Sequence, residues 1–339
     1  MKNYIVFDLE WNQSPLGKEN SIAEMPFEII EIGAVKLDEQ FQMVSEFHRL
    51  ISPKVYQQMH YKISEVTRMD MAELQKEGEE FQQAAAQFFQ WCGEDVVFCT
   101  WGPMDLTELQ RNMKYHGIPN HLPKPLLYYD IQKLYTLLHR REEGRPSLDT
   151  VVEELGILEE RPFHRALDDA YYTGKVMQTM EFQKVEAYQS VDYYRLPETK
   201  REEIYLEFPN YSKYISRTFQ TKEDALADKG VTDMICCHCK RMLRKKIRWF
   251  SFNQKSYFCL AVCPEHGYAR GKIRMKKNDE GLVYVVKTIK MVDEKAAEEV
   301  YDRREELKKR RHEKSQLKKQ IKKKQGSGLR EGQHSGKES

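Results

Sequence analysis

The feature that most constrains the fold is a short apolar run that ends on two acids. Tyr4-Ile5-Val6-Phe7 is strand-forming and too short for a helix, and it leads directly into Asp8-Leu9-Glu10. On an extended strand, residues i and i+2 point to one side, so Asp8 and Glu10 face a common point at the end of a buried strand. Like charges held together in an apolar setting raise each other's pKa unless a cation lies between them. A lone D-x-E is equally compatible with a solvated strand end, and the other segments of the chain decide between the two.

The pattern downstream predicts an α/β layer fold with a mixed sheet flanked by helices. A polar loop over 13–26 is followed by strands at 27–37 and 41–51, joined by links short enough for an antiparallel meander. Gly33 in mid-strand signals close approach of another backbone or a bulge. Helical periodicity then runs over 73–91, with Phe81, Ala84, Ala85, Phe88 and Phe89 on one side. A short buried strand at 96–100 turns at Trp101-Gly102-Pro103 into a helix over 104–116, and 126–130 makes a fifth strand. Helices follow at 131–141, 147–155 with Ser147 as N-cap, and 166 to about 188. Meander first and alternation of helix and strand afterwards is the order of a mixed sheet.

Charge divides the chain. Residues 1–229 hold 26 Lys and Arg against 39 Asp and Glu, a net −13, whereas 230–324 hold 27 against 12, a net +15. An acidic body joined to a basic C-terminal third points to a polyanionic partner, most simply nucleic acid. No apolar run approaches a membrane span, and the start of the chain lacks the pattern of a signal peptide, so a cytoplasmic protein with no membrane partner is expected. Five of the seven cysteines, Cys236, Cys237, Cys239, Cys259 and Cys263, fall within 28 positions. An odd, clustered set of this kind favours metal over a disulfide framework.

Cys236 and Cys239 form a C-x2-C, and Cys263 and His266 form a C-x2-H. Two knuckles separated by a strand-rich hairpin are the layout of a zinc ribbon, so these four residues are the expected ligands of one structural Zn²⁺. Cys237 and Cys259 are supernumerary, either being an alternative ligand, and His238 is a weaker one. Arg241, Arg244, Lys245, Lys246, Arg248, Arg270, Lys272, Arg274, Lys276 and Lys277 interleave with Trp249, Phe250, Phe252, Tyr257 and Phe258. Cations suit phosphates and rings suit bases, although a solvated basic face would carry the same residues. The expected organisation is a body over 1–188, a connector over 189–230 containing one strand and one short helix, a zinc-ribbon-like domain over 231–292, a basic helix over 293–325 and a low-complexity, disordered tail over 326–339.

Two further segments answer Asp8 and Glu10. Asp105 follows the turn after the strand at 96–100, in the type of loop where α/β sheets place their sites. His164 precedes a helix that carries Asp168 and Asp169 on its first turns. Each is unremarkable singly, since acids favour helix N-termini. Taken in order, Asp8-Leu9-Glu10, Asp105 and His164-x4-Asp169 resemble the DEDDh superfamily of 3′–5′ exonucleases, over roughly residues 1–182. The segment Met59 to Thr67 resembles that family's sequence after its third strand. The H-x4-D type, with Trp-Gly before the middle Asp, is most similar to the branch containing short-RNA and histone-mRNA 3′-end exonucleases and bacterial sporulation-inhibitor-like proteins.

The resemblance implies an RNase H-like fold with a five-stranded mixed sheet and a metal-dependent exonuclease acting on RNA or single-stranded DNA. It implies two Mg²⁺ or Mn²⁺ ions held by Asp8, Glu10, Asp105 and Asp169, with Asp8 bridging them, and His164 as general base. Asp168 points elsewhere on its helix. The chain departs from the family at two places: Trp11 and Asn12 follow Glu10 where a Thr that contacts the terminal nucleotide is usual, and Trp101 replaces an Asn four places before the middle Asp. All three are expected at the substrate, with Trp11 open to stacking on a base or to packing. The alternative to an enzyme is a non-catalytic module that binds nucleic acid or a ribosome through the zinc ribbon and basic tail.

Overall fold

The computed structural model describes residues 3–139 and 144–328. The chain divides into two compact units, one ending at Arg195 and the other beginning at Leu196.

In the first unit, β1 (Asn3–Asn12), β2 (Glu28–Leu37) and β3 (Met43–Leu50) form the antiparallel meander. Three helices follow: α1 (Tyr61–Thr67), α2 (Met71–Glu77) and α3 (Phe81–Cys92). Next come β4 (Val96–Thr100), α4 (Met104–Tyr115), β5 (Leu126–Asp130), α5 (Ile131–Leu138), α6 (Leu148–Glu154), α7 (Ala166–Thr179) and β6 (Ser190–Asp192). The strand order is β3-β2-β1-β4-β5-β6, with β1, β4 and β5 parallel. This is the mixed sheet flanked by helices expected of an RNase H-like fold.

β1 lies in the middle and is covered on both faces. Ile5, Phe7 and Leu9 pack against Phe81, Ala84, Ala85 and Phe88 of α3 and Leu106, Leu109 and Met113 of α4. Val6 points the other way, into a core built with Val35, Leu134, Val151, Tyr172 and Val176 from β2, α5, α6 and α7. Alternation along the strand therefore puts Asp8 and Glu10 on the side that carries α7.

Three boundaries differ from the sequence expectation. The helix over 73–91 is two helices, because Glu79 leaves the helical path to bond Leu50 and Ser52 across a bridge to Ile51. At Gly78 a Cβ would stand 2.5 Å from the Ser52 nitrogen, so only glycine permits that approach. The sheet has six strands, not five: β6 pairs antiparallel with β5, and three residues are too few to carry a periodic signal. The final helix of the unit stops at Thr179 and not near 188, where Met180 turns extended.

The second unit is antiparallel. Its elements are β7 (Ile204–Phe208), β8 (Tyr211–Ile215), α8 (Lys222–Ala227), α9 (Lys229–Thr232), β9 (Arg244–Ser251), β10 (Ser256–Cys263), β11 (Gly267–Lys277), β12 (Val283–Val292) and α10 (Glu294–Gly328). The order β7-β8-β12-β11-β10-β9 makes one six-stranded sheet. The segment 189–230 is thus shared out: its start supplies β6 to the first sheet, and β7, β8 and α8 belong to the second unit. Ile204, Leu206 and Phe208 alternate with polar neighbours, a strand signal diluted by the surrounding Tyr and charge. The hairpin of the expected zinc ribbon is embedded in this larger sheet. The tail expected over 326–339 lies outside the described residues from 329 onward.

Gly33 of β2 is the cross-strand partner of Asp8. A Cβ there would sit 1.9 Å from the Leu167 nitrogen and 2.1 Å from the Ala166 carbonyl carbon, both backbone atoms of α7. Gly33→Ala must therefore lift the N-terminus of α7 off the sheet. It is expected to destabilise the unit by about 3 kcal/mol or more, read by chemical denaturation; a loss below ~0.5 kcal/mol would show that the contact is slack.

Candidate active site and metal clusters

Among the described residues two groups of side chains could hold a metal ion, one in each unit. The first comprises Asp8, Glu10 and Asp169, whose ligand atoms lie within 4.8 Å of one another. Asp8 and Glu10 are brought together by the strand repeat, and Asp169 by the seating of α7 at Gly33. Asp105 at the start of α4 is buried, and its carboxylate accepts hydrogen bonds from its own backbone N–H and that of Leu9. It acts strongly on Asp8, being the first of that group's charged neighbours.

The electrostatics follow from this crowding. Burial, then Asp105, Glu10 and Asp169, push the Asp8 carboxyl well above the usual range. Burial and the charges of Asp169 and Glu31 raise Glu10 to about 8. Burial raises Asp105 and Asp169 to about 7, despite backbone hydrogen bonds that favour their charged forms. Four carboxylates that resist ionising together form a site for positive charge, and hard oxygen donors suit Mg²⁺ or Mn²⁺.

His164 lies just before α7 with φ 68°, a left-handed conformation that turns the chain sharply. Its backbone N–H donates to Asp169 Oδ1 at 3.3 Å, and its side chain is exposed. The imidazole nitrogens are not among the atoms gathered within 4.8 Å.

The residues expected at the substrate fare differently. Asn12 requires a correction: it is fully buried, and its amide is spent on the chain itself. Its Nδ2 donates to the carbonyls of Tyr56 at 3.1 Å and Gln58 at 2.9 Å, and its Oδ1 accepts from His60 N–H at 3.0 Å. Its side chain clamps the loop before α1. Trp11 packs on the α3–α4 core and tilts against Phe27 at 5.7 Å, so packing accounts for much of its surface. Trp101 packs against the opposite core, with α5 and α7.

The motif spacing does not point to Glu31, which proves central. It is the cross-strand partner of Glu10 and almost wholly buried. Arg165 grips it through Nε at 3.1 and 3.2 Å and Nη2 at 2.9 Å, Ala166 N–H donates to it at 3.0 Å, and His48 Nε2 lies 2.6 Å away. Burial works to raise its pKa, and the bonds from His48 and Arg165 more than offset that, leaving it lowered. Glu31 thus stays charged beside acids that resist charge. The available signal was an acid inside the apolar run Ile29-Ile30-Glu31-Ile32, where an unpaired charge would be costly.

The second group comprises Cys236, Cys239, Cys263 and His266. Cys236 and Cys239 sit in a knuckle before β9, closed by Lys240 N–H bonding the Cys236 carbonyl and Cys236 N–H bonding the Arg241 carbonyl, both at 3.0 Å. Cys263 ends β10, and His266 lies in the turn to β11. Cys239 Sγ is 3.5 Å from Cys263 Sγ, which is 3.5 Å from His266 Nδ1. Burial works to raise the Cys263 thiol, but hydrogen bonds from His266 and the backbone bring it down to about 6. Cys259 is outside the cluster; it faces the core and donates to the Ile247 carbonyl at 3.1 Å, with burial pushing it up to about 12.

A family model described as Exonuclease (RNase_T) matches residues 5–177, or 173 of the chain's 339. The chain belongs to the exonuclease family. All four acids and His164 fall inside the matched span, and the match bears out both the resemblance to DEDDh exonucleases and the reading of the chain as a phosphodiester hydrolase. Among solved structures, the nuclease domain of 3′hExo, a DEDDh family member bound to rAMP, is 17% identical over 56% of this chain and 96% of its own, with a TM-score of 0.48. A 3′-exonuclease that recognises the histone mRNA stem-loop is 17% identical over 57% of this chain and 92% of its own, at 0.46. E. coli exonuclease I with a dA16 oligonucleotide is 12% identical over 77% of this chain and 55% of its own, at 0.44. Comparison with curated proteins gave no match. No helix among the described residues is long and apolar enough to cross a membrane.

The four raised carboxyl groups set a stability prediction. A carboxyl whose folded pKa exceeds its unfolded value penalises folding as it ionises. The penalty is absent below the ordinary values of 3.8 and 4.5 and grows as pH rises, the share of Glu10, Asp105 and Asp169 being complete above about 7 to 8 and Asp8 adding to it in the same direction. A bound divalent cation removes it. Millimolar Mg²⁺ or Mn²⁺ is therefore expected to raise Tm by on the order of 5 °C at pH 8 and by little at pH 5. Asp8→Asn should itself raise Tm at pH 8 and lose most of the metal response. Thermal melts check both; equal metal shifts at the two pH values would contradict the assignment.

Proposed function

We propose that this member of the exonuclease family removes nucleoside 5′-monophosphates one at a time from the 3′ end of RNA or single-stranded DNA. The observation that carries this is the convergence of Asp8, Glu10 and Asp169 on one point, with buried Asp105 beside Asp8. These acids would hold two Mg²⁺ or Mn²⁺ ions, which when bound would neutralise charge at the scissile phosphate and lower the pKa of water. Asp8, which feels all three of the others, would be the ligand common to both ions, with Glu10, Asp169 and Asp105 completing the set. His164 takes a proton from the attacking water, a role that suits an imidazole and contributes roughly 10²–10⁴ in rate. What supports it is the exposed ring on a backbone tied to Asp169. The water oxygen bonds to phosphorus, the bond from phosphorus to the 3′ oxygen of the preceding nucleotide breaks, and that oxygen takes a proton from solvent to become a new 3′-hydroxyl, while the proton held by His164 returns to solvent. Trp101 and the exposed part of Trp11 line the approach of the terminal nucleotide.

The Cys3His group is assigned to one structural Zn²⁺. Three thiols and an imidazole within 4.8 Å are a soft, four-ligand, closed donor set, unlike the oxygen set of the first unit. Such an ion contributes roughly 10–16 kcal/mol to folding, and here it would tie the knuckle before β9 to the β10–β11 turn. The basic second unit is the part that holds nucleic acid.

Two experiments test these assignments. On a labelled single strand with Mn²⁺ present, Asp8→Ala and Asp169→Ala should each lose more than ~10³ in rate, His164→Ala about 10²–10⁴, and a 3′-blocked strand should resist the wild-type protein. Turnover of the blocked strand, or wild-type rates in either Asp variant, would overturn the reading. The purified chain should contain one equivalent of zinc by elemental analysis, lost in Cys236→Ser together with cooperative melting of the second unit; unchanged zinc in that variant would remove Cys236 from the ligand set.

A further inference from the structure

β11 alternates strictly between a buried and an open face. Ala269, Gly271, Ile273 and Met275 point into the core, and Arg270, Lys272, Arg274 and Lys276 point to the opposite side. α10 begins on that same side, where Ala297 and Val300 cover Leu260, the cross-strand partner of Arg270. The helix then carries Arg303 to the cation row: its guanidinium lies 5.4 Å from the Phe252 ring, Phe252 stands edge-on to Phe258 at 5.4 Å, and Lys272 Nζ lies 5.6 Å from the Phe258 ring. Burial and the charges of Arg274, Arg270 and Arg303 all lower the Lys272 pKa, with no carboxylate among its causes. Among the described residues, none of Arg270, Lys272, Arg274 and Arg303 is paired with an acid.

We propose that Arg270, Lys272, Arg274 and Arg303, flanked by exposed Phe252, form a binding track for the phosphate backbone of an extended single-stranded nucleic acid. The proposal deepens the reading of the chain as an exonuclease by placing the hold on its substrate at one strand of the second unit. Four cations gathered without an acid repel one another, and phosphates relieve that repulsion and release counterions. Successive cations on the strand are about 6.8 Å apart in a straight row. A straight row can follow a strand that runs straight, whereas each strand of a duplex winds away from it. Phe252 is 38% exposed beside the row, and an exposed ring stacks on a base only where that base is unpaired. The basic residues conspicuous in the sequence are thereby separated: Arg270, Lys272 and Arg274 of β11 join the track, and Arg244, Lys245, Lys246 and Arg248 belong to edge strand β9.

The test is equilibrium binding of fluorescent oligouridylate and oligothymidylate to the full chain by anisotropy, over a range of salt, in an Asp8→Asn background that prevents degradation. The triple variant Arg270→Gln, Arg274→Gln, Arg303→Gln should bind at least ~10-fold more weakly, and its log K against log salt slope should fall by about 2, each single-strand phosphate contact contributing ~0.7. Phe252→Ala should weaken binding several-fold and leave the slope unchanged, since stacking releases no counterions. A charge-matched triple variant, Lys245→Gln, Lys246→Gln, Arg248→Gln, should lose clearly less. Equal losses in the two triples would replace the track with diffuse basic charge; an unaltered slope in the first triple, or tighter binding of blunt duplex than of single strand, would also overturn it. Hydrolysis of the p-nitrophenyl ester of thymidine 5′-monophosphate by the wild-type chain, absent in Asp8→Asn, tests the exonuclease reading separately, because that substrate has no backbone to occupy the track.

Discussion

The first unit depends on one close contact, the backbone of α7 resting on the backbone of β2 at Gly33. Asp8 and Gly33 are partners across β1 and β2, and so are Glu10 and Glu31. At one pair the absence of a side chain lets the helix in. At the next, a carboxylate receives the helix: Glu31 accepts the Ala166 N–H, one of the donors that a helix start leaves without an internal partner. Arg165 then closes over the same carboxylate. Asp169 reaches Asp8 and Glu10 only because the start of α7 is fixed at both places. The geometry of the acids is thus a product of backbone contact and one buried ion pair, neither of which touches the reacting atoms.

That arrangement is costly and useful for the same reason. Burying an unpaired carboxylate is unfavourable, and the chain buries several around one point. Of the acids around this point, only Glu31 has a cation bonded to it, Arg165, with His48 Nε2 within hydrogen-bond distance of the same carboxylate. The other acids keep a deficit of positive charge that the fold does not supply. A cation held among these acids would relieve that deficit, and the gain would be largest near neutral pH and above. The hydrophobic contacts on both faces of β1 supply the stability against which this local penalty is set.

Much of this was legible in the sequence, and the limits have physical causes. That Asp8, Glu10 and Asp169 converge was legible because the motif constrains both residue type and order, and the close approach at Gly33 because a glycine in a buried strand has few explanations. The gathering of Cys236, Cys239, Cys263 and His266 was legible from spacing alone, since a knuckle is local. Asn12 was misread because its position beside the acids suggested contact with substrate, whereas its three hydrogen bonds reach 44 to 48 residues along the chain. Such long-range partners leave no mark in local pattern. The same is true of Glu31 with Arg165, separated by 134 residues. The second sheet was underestimated because strands β7 and β8 lie in a Tyr-rich, charged segment whose alternation is weak until β12 is present to pair with β8.

The two metal-type clusters differ in a way that bears on how one chain keeps both. The first offers only carboxylate oxygens, and the second three sulfurs and a nitrogen. Hard ions that retain water prefer the former, and thiolates select zinc over magnesium or manganese by chemistry rather than by concentration. The charge around each reinforces the separation. The acids of the first unit attract cations of any kind, while the second unit is basic, so a cation approaching the Cys3His group is held by covalent preference and not by field. For a polyanion the asymmetry is the opposite: its phosphates are attracted by a basic unit and repelled by a cluster of carboxylates, and a cation held among those carboxylates would weaken that repulsion.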